Sequence, residues 1–243
     1  MSIVIVAAVV TVSDGIAAHP LACCAVREQV RRTLHALGGP VVRRAWATAG
    51  RIGSIGPASH AGRRFGAFGD DSIVCFPPAA LFNERYIHIG SGTLIGPNVS
   101  LSAGMVPGQE CLTDPVVRIG DRCLIGRGSS IIGHFEIVIG DDVWTGPNVY
   151  ITDQNHAYDD ITIPISRQAQ PERSVSIGAG SWLGTNTVVL PGARIGRHVT
   201  VGAGSVVAGQ LPDFCVAVGA PARVIQRHDG DSWRRVEPAG TTR

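Results

Sequence analysis

Apolar residues recur at every sixth position through much of this chain. Ile89, Ile95 and Leu101 form one run, Ile119, Ile125 and Ile131 a second, and Ile139, Thr145 and Ile151 a third. The last run is uninterrupted, from Ile177 through Leu183, Val189, Ile195 and Val201 to Val207. Glycine usually follows the head of the repeat, as at Gly90, Gly140 and Gly184. Four positions after each head stands a small or β-branched residue such as Thr93, Val99 or Ser181. A period of six fits neither a continuous strand, whose faces alternate every two residues, nor a helix with its period of 3.6. It fits a short strand followed by a turn. The head and the small residue both point inward, and glycine, lacking a Cβ, is expected to take the strained turn. Three such sides close a triangular coil of 18 residues, so fifteen hexapeptides give about five coils. Each coil hides its apolar side only by stacking on the next, and each buried aliphatic contributes roughly 1.5–3 kcal/mol. The expected fold is an all-β solenoid.

The repeat breaks at two places. Between Leu101 and Ile119 the phase is kept but the pattern is lost, which predicts a degenerate coil or a loop. Ile177 follows Ile151 by 26 positions where six would continue the coil, so an insertion of 20 extra residues, carried in a loop over 152–174, leaves one corner of the prism. Chemistry concentrates on loops held by rigid scaffolds. The expected organisation is a helical or irregular arm over residues 1–85, coils over 86–212, and an extension over 213–243. Within the arm, residues 21–37 read as an amphipathic helix with Val26, Val30, Leu34 and Leu37 on one face. Gly38-Gly39-Pro40 is expected to stop it, and 41–50 to form a second short helix carrying Trp46. Downstream, Gly219 to Ile225 reads as a turn into a final strand or helix, with a polar, loose tail from His228.

Composition narrows the classes. The chain has 243 residues, 44% hydrophobic and 16% charged, which is globular rather than disordered. Aromatics are only 5% while glycines number 31, in keeping with many turns and small interior side chains. Net charge is +2, so no global nucleic-acid character follows. The charge is uneven, however: residues 26–64 hold eight arginines against Glu28, about +7, and residues 65–243 come to about −4. That basic stretch is read as a solvated helix face in preference to a surface for anionic lipid or polysaccharide. The six cysteines form no C-x-x-C pair, so neither zinc nor redox chemistry is indicated. Reduced cysteines in the cytoplasm are the default, with a peripheral membrane contact by residues 26–64 as the disfavoured variant. Apolar residues 3–12 are too few to span a bilayer and lack the basic residues of a signal peptide; a buried strand and an upstream extension both remain open for them.

The period, the edge Gly146-Pro-Asn-Val-Tyr-Ile151 and the histidine five residues beyond it resemble the hexapeptide-repeat, left-handed β-helix acyltransferases. The resemblance is to the branch that O-acetylates maltose, galactosides and capsular or exopolysaccharides. It covers roughly residues 86–227 and is most specific in the last six hexapeptides and the histidine loop. Left-handedness follows from the resemblance alone. So do a homotrimer with the site between neighbouring prisms, acetyl-CoA as acyl donor, no metal, and transfer to a hydroxyl of a sugar, glycoside or other small acceptor. His156 would be the general base. A neutral alcohol attacks a thioester poorly, and a positioned imidazole taking the hydroxyl proton contributes about 10²–10⁴-fold. Asp153, nearest in sequence, is the candidate to orient the ring. By the same resemblance the backbone amide of Thr185 would stabilise the oxyanion, which is worth about 2.7–4 kcal/mol.

The coenzyme is expected along the C-terminal coils. Trp182 would wall the pantetheine path, Gly202, Ala203 and Ser205 would border the groove, and Arg223, in Gly-x-Pro-Ala-Arg-x-Ile, would meet a phosphate. Removing the 20-residue insertion sets Trp144 and Trp182 one coil apart on an outer face, with subunit packing preferred for Trp144. Ala208-Gly209 stand where many relatives carry Thr-Lys, so one coenzyme contact is absent or replaced. His134 replaces an aspartate common near the acceptor; with Asn155 it is assigned to the acceptor pocket. His88 and His198 are read as coil-surface residues. A different acyl chemistry on the same fold, such as N-acylation or succinyl transfer, stays open, and two other classes compete. A γ-type carbonic anhydrase would need an H-x4-H pair, which does not occur. A non-catalytic coil serving as a scaffold would not need the histidine-bearing insertion.

Overall fold

The structure, a computed structural model, describes residues 20–236. The chain divides into two compact units, one ending at Thr48 and the other beginning at Ala49. Residues 3–12 lie outside the described residues, as do the side chains of Val26, Val30, Leu34 and Leu37.

One α-helix runs from Pro20 to Gly53 with Pro40 inside it. Gly38-Gly39-Pro40 therefore does not stop it, and 41–50 is not a separate helix. Proline's fixed φ is itself helical, and its ring removes one backbone bond. Each glycine costs only about 1 kcal/mol in a helix interior.

From Ala67 onward the chain winds round a three-sided prism. The first face stacks seven parallel strands, from Ala67–Phe68 and Ile87–Ile89 up to Arg194–Ile195 and Gln210–Leu211. The second face stacks seven more, from Ile73–Val74 to Cys215–Val218, and the third stacks six, from Ala80–Phe82 to Val206–Val207. The coils thus begin at Ala67 rather than at residue 86, one coil earlier than the period indicates. Phe76-Pro77-Pro78 and the 3-10 turn Glu84–Tyr86 lengthen the corners of that first coil and break its phase. The heads of the repeat and the residues four positions on are buried together, for example Ile95 with Val99 and Leu183 with Thr187.

The repeat glycines act differently from expectation. Gly146 and Gly184 do not have positive φ; the left-handed position falls two residues later, at Asn148 and Asn186. What those glycines permit is coil-on-coil contact. A Cβ on Gly146 would stand 2.6 Å from the Thr185 amide nitrogen, and one on Gly184 2.5 Å from that of Ala203. Glycine is required by the neighbouring backbone, not by the turn.

Both breaks in the repeat leave the corner between the third and first faces. Residues 104–116 form a loop there, not a degenerate coil, and 153–174 emerge two coils beyond. At the far end, Cys215–Val218 pairs antiparallel with Arg223–His228, which pairs with Trp233–Arg235. The stretch after His228 is thus a third strand and not a loose tail as far as Val236.

Candidate active site

The 20-residue insertion is a short antiparallel arm. The Asn155 amide donates to the Pro171 carbonyl at 3.2 Å and that of Ala157 to Ala169 at 2.8 Å, while Gln154 and Glu172 form an isolated bridge. At the base, the Arg173 amide donates to the Asp153 carbonyl at 2.7 Å. At the tip, Asp160 accepts from the amide and hydroxyl of Thr162, which holds its carboxyl below the usual range. Gln168 bridges the two sides, accepting from the Asp160 amide and donating to its carbonyl. His156 is thus carried on a ladder with fixed register, and it is exposed.

His156 stands between two cavities. One of about 380 Å³ is lined by Asn155, His156, Tyr158, Arg173, Leu190 and Ala208, among others. The other, of about 290 Å³, brings in His134, Tyr150 and Thr152 and shares Asn155, His156, Leu190 and Pro191 with the first. The ring's polar neighbour is Gln170, whose Nε2 lies 3.4 Å from Nδ1. Asn155 accepts the His156 amide at 3.0 Å through Oδ1.

Asp153 does not fill the orienting role expected of it. It is fully buried. Its carboxylate accepts backbone N–H groups from His134 at 2.9 and 3.1 Å, Phe135 at 2.9 Å and Glu136 at 2.7 Å. It ties the arm's root to the turn of the preceding coil. That turn carries His134, so Asp153 shapes the cavity wall without touching the His156 ring.

His134 Nδ1 is buried without a hydrogen-bond partner, shared among the described residues only by Ser102 Oγ. Burial pushes the His134 pKa below the ordinary histidine value, against a smaller upward pull from Asp153 and Glu172. The unfolded chain therefore takes up this proton at a higher pH than the folded one. Stability is fully present above the ordinary value near 6.5 and is lost as pH falls through the lowered folded value. His134→Gln should flatten this part of the profile. It is checked by comparing thermal midpoints of the two proteins from about pH 7 to about pH 5.

The remaining expected residues sit elsewhere. Thr185, Gly202 and Ala203 stack on the corner between the second and third faces, whereas His156 leaves the corner between the third and first. One protomer does not bring these groups together. Trp182 is paired in register with Trp144 on the second face, and the two are 50% and 56% exposed. Ser205 is fully buried; its hydroxyl donates to the Gly202 carbonyl at 2.6 Å and accepts from the Gly219 amide at 3.1 Å. Its side chain therefore cannot border a coenzyme groove. Arg223 is exposed and lines a third cavity of about 280 Å³ with Ala208 and Gly209. Among the described residues no group of three His, Cys, Asp or Glu side chains could hold a metal ion. Tyr158, Gln170 and Arg173 were not anticipated from sequence. The arm's pairing puts Gln170 beside His156, and pairing across an insertion leaves no periodic trace. Leu190-Pro191 and Ala208 were within reach, because they occupy the same corner in successive coils.

Residues 174–209 match the bacterial transferase hexapeptide family (six repeats), and residues 116–153 match the hexapeptide repeat of succinyl-transferase. The probable acetyltransferase Rv3034c of Mycobacterium tuberculosis is 42% identical over 110 residues, 45% of this chain and 37% of that one. The chain thus spans little more than a third of that relative. The putative lipopolysaccharide biosynthesis O-acetyl transferase WbbJ of Escherichia coli is 38% identical over 167 residues, 65% of this chain and 81% of that one. Among solved structures, the N-acyltransferase AntD of Bacillus cereus, in complex with dTDP and 3-hydroxybutyryl-CoA, matches with a TM-score of 0.57 at 22% identity. That match covers 68% of this chain and 84% of AntD, and it shares the fold, a left-handed parallel β-helix.

Proposed function

We propose that this chain, which belongs to the hexapeptide-repeat acyltransferase family, moves an acetyl group from acetyl-CoA to a hydroxyl of a saccharide or other small acceptor, with His156 as general base. The observation that carries this reading is the placement of His156. It is an open imidazole on a register-fixed arm, between two cavities of about 380 and 290 Å³. Two cavities meeting at one base suit two substrates meeting at one proton transfer. His134 and Asn155 would hold the acceptor in the smaller cavity. The His156 ring takes the acceptor's hydroxyl proton as the oxygen attacks the thioester carbon. The tetrahedral intermediate collapses as the carbon–sulfur bond breaks, and the imidazolium returns the proton to the departing thiolate. The relative WbbJ, described as an O-acetyl transferase, supports oxygen as the nucleophile.

The Thr185 amide would stabilise the oxyanion, with Trp182, Gly202 and Ala203 bordering the pantetheine and Arg223 meeting a phosphate. These groups lie on a different corner from His156, so this reading requires a second copy of the chain, and we assign a homotrimer. The outward side of the second face favours close packing of copies. Leu94, Leu124, Trp144 and Trp182 follow one another in register along it, and Leu94, Trp144 and Trp182 are exposed in the single chain.

The test is release of free thiol from acetyl-CoA against a panel of hexoses, glycosides and sugar nucleotides. Turnover that depends on a hydroxyl acceptor is the expected result. Turnover with amino sugars alone would replace O-transfer by N-transfer, and hydrolysis at the same rate with and without acceptor would end the proposal.

A further inference from the structure

We infer that the last third of the helix Pro20–Gly53 is an interfacial element that lies on an anionic lipid bilayer. At about 100° per residue, Val41, Val42, Ala45, Trp46, Ala49 and Ile52 share an arc of about 140°, and Arg43, Arg44 and Arg51 fall in a separate arc of about 100°. The apolar arc is open: Val41 and Val42 are each 66% exposed, Trp46 64% and Ile52 80%. All three arginines are exposed as well. A solvated face, the reading preferred from sequence, gives no reason for a tryptophan and three β-branched aliphatics on one open side.

Charge selects the occupant. From residue 29 to residue 69 the chain holds seven arginines and no aspartate or glutamate. The nearest acid upstream, Glu28, is engaged by Arg31 and Arg32. A stripe of aliphatic residues and tryptophan flanked by arginine matches the boundary between acyl chains and phosphate headgroups. There the apolar side sinks in and the guanidinium groups meet phosphate. No helix among the described residues is long and apolar enough to cross a membrane, so the contact is with the surface. The inference does not depend on the acyl-transfer reading.

The test uses the full chain with vesicles of phosphatidylcholine and phosphatidylglycerol in equal parts, and with vesicles of phosphatidylcholine alone. Partition is measured by sedimentation at low and raised salt. The expected result is binding to the anionic vesicles that weakens with salt. Arg43→Gln with Arg44→Gln should lower the partition coefficient about thirtyfold, near fivefold for each charge. Val42→Ser with Ile52→Ser should weaken binding at every salt concentration. All four positions are exposed, so thermal midpoints should stay at the parent value. Equal binding to both vesicle types, or unchanged binding by the arginine variant, would overturn the inference. So would absence of vesicle binding together with a smaller assembly for the Val42→Ser, Ile52→Ser variant, which would assign the face to a second copy. Transfer to a soluble acceptor should run at the parent rate in both variants, so failure here and failure of the catalytic proposal are read separately.

Discussion

Replacing His156 by alanine should lower acceptor-dependent thiol release from acetyl-CoA by about 10²–10⁴-fold, the range a general base contributes. The loss should fall on kcat, because the imidazole acts as the oxygen–hydrogen bond breaks and adds little to ground-state binding. The fold should be indifferent. The side chain is exposed, and its ring makes one weak polar contact, 3.4 Å from Gln170. The thermal midpoint should therefore stay with the parent protein, so lost activity cannot be blamed on lost structure. Residual turnover is expected, since orientation of the substrates and an oxyanion donor act without the base. A His156→Ala protein that turns over within a few-fold of the parent would remove the imidazole from the mechanism, whatever the fold.

What the period of six could reveal is what repeats. The three-sided prism, the inward heads with their small partners four positions on, and the register of Trp144 with Trp182 all follow from counting. The corner that carries His156 follows in the same way, because an insertion is conspicuous against a regular background. Ser205 obeys the same rule and is buried by it. It stands four positions after Val201, an inward place by the same pattern, and its hydroxyl is consumed inside the coil. The first coil was hidden because Phe76-Pro77-Pro78 and the 3-10 turn after Asn83 stretch its corners. The repeat glycines are needed for stacking and not for the turn. Their Cβ positions are blocked by a backbone a full coil away in sequence, which no local turn preference reveals. The partners of Asp153 fail for the same cause: they lie 17 to 19 residues upstream, brought beside it by stacking.

Asp153→Ala should be the most destabilising single change in this corner. The carboxylate accepts three consecutive backbone N–H groups, of His134, Phe135 and Glu136, from a fully buried position. A hydrogen bond to a charged group contributes about 1.5–3 kcal/mol, and a buried donor left without a partner costs about 1–3 kcal/mol. Neighbouring donors relax together, so these do not sum, and a net loss on the order of 4 kcal/mol is expected. Denaturant unfolding measures it directly. Asp153→Asn keeps one acceptor oxygen in the same place and should lose roughly half as much. Activity separates this role from the orienting role that its sequence position suggested. Were Asp153 to act through the His156 ring, Asp153→Asn would depress kcat at every temperature at which it is folded. Because the carboxylate holds instead the turn that carries His134, the folded asparagine variant should keep most of its kcat and show its defect as a raised KM for the acceptor. A kcat loss comparable to that of His156→Ala, in a protein still folded, would return Asp153 to the catalytic machinery.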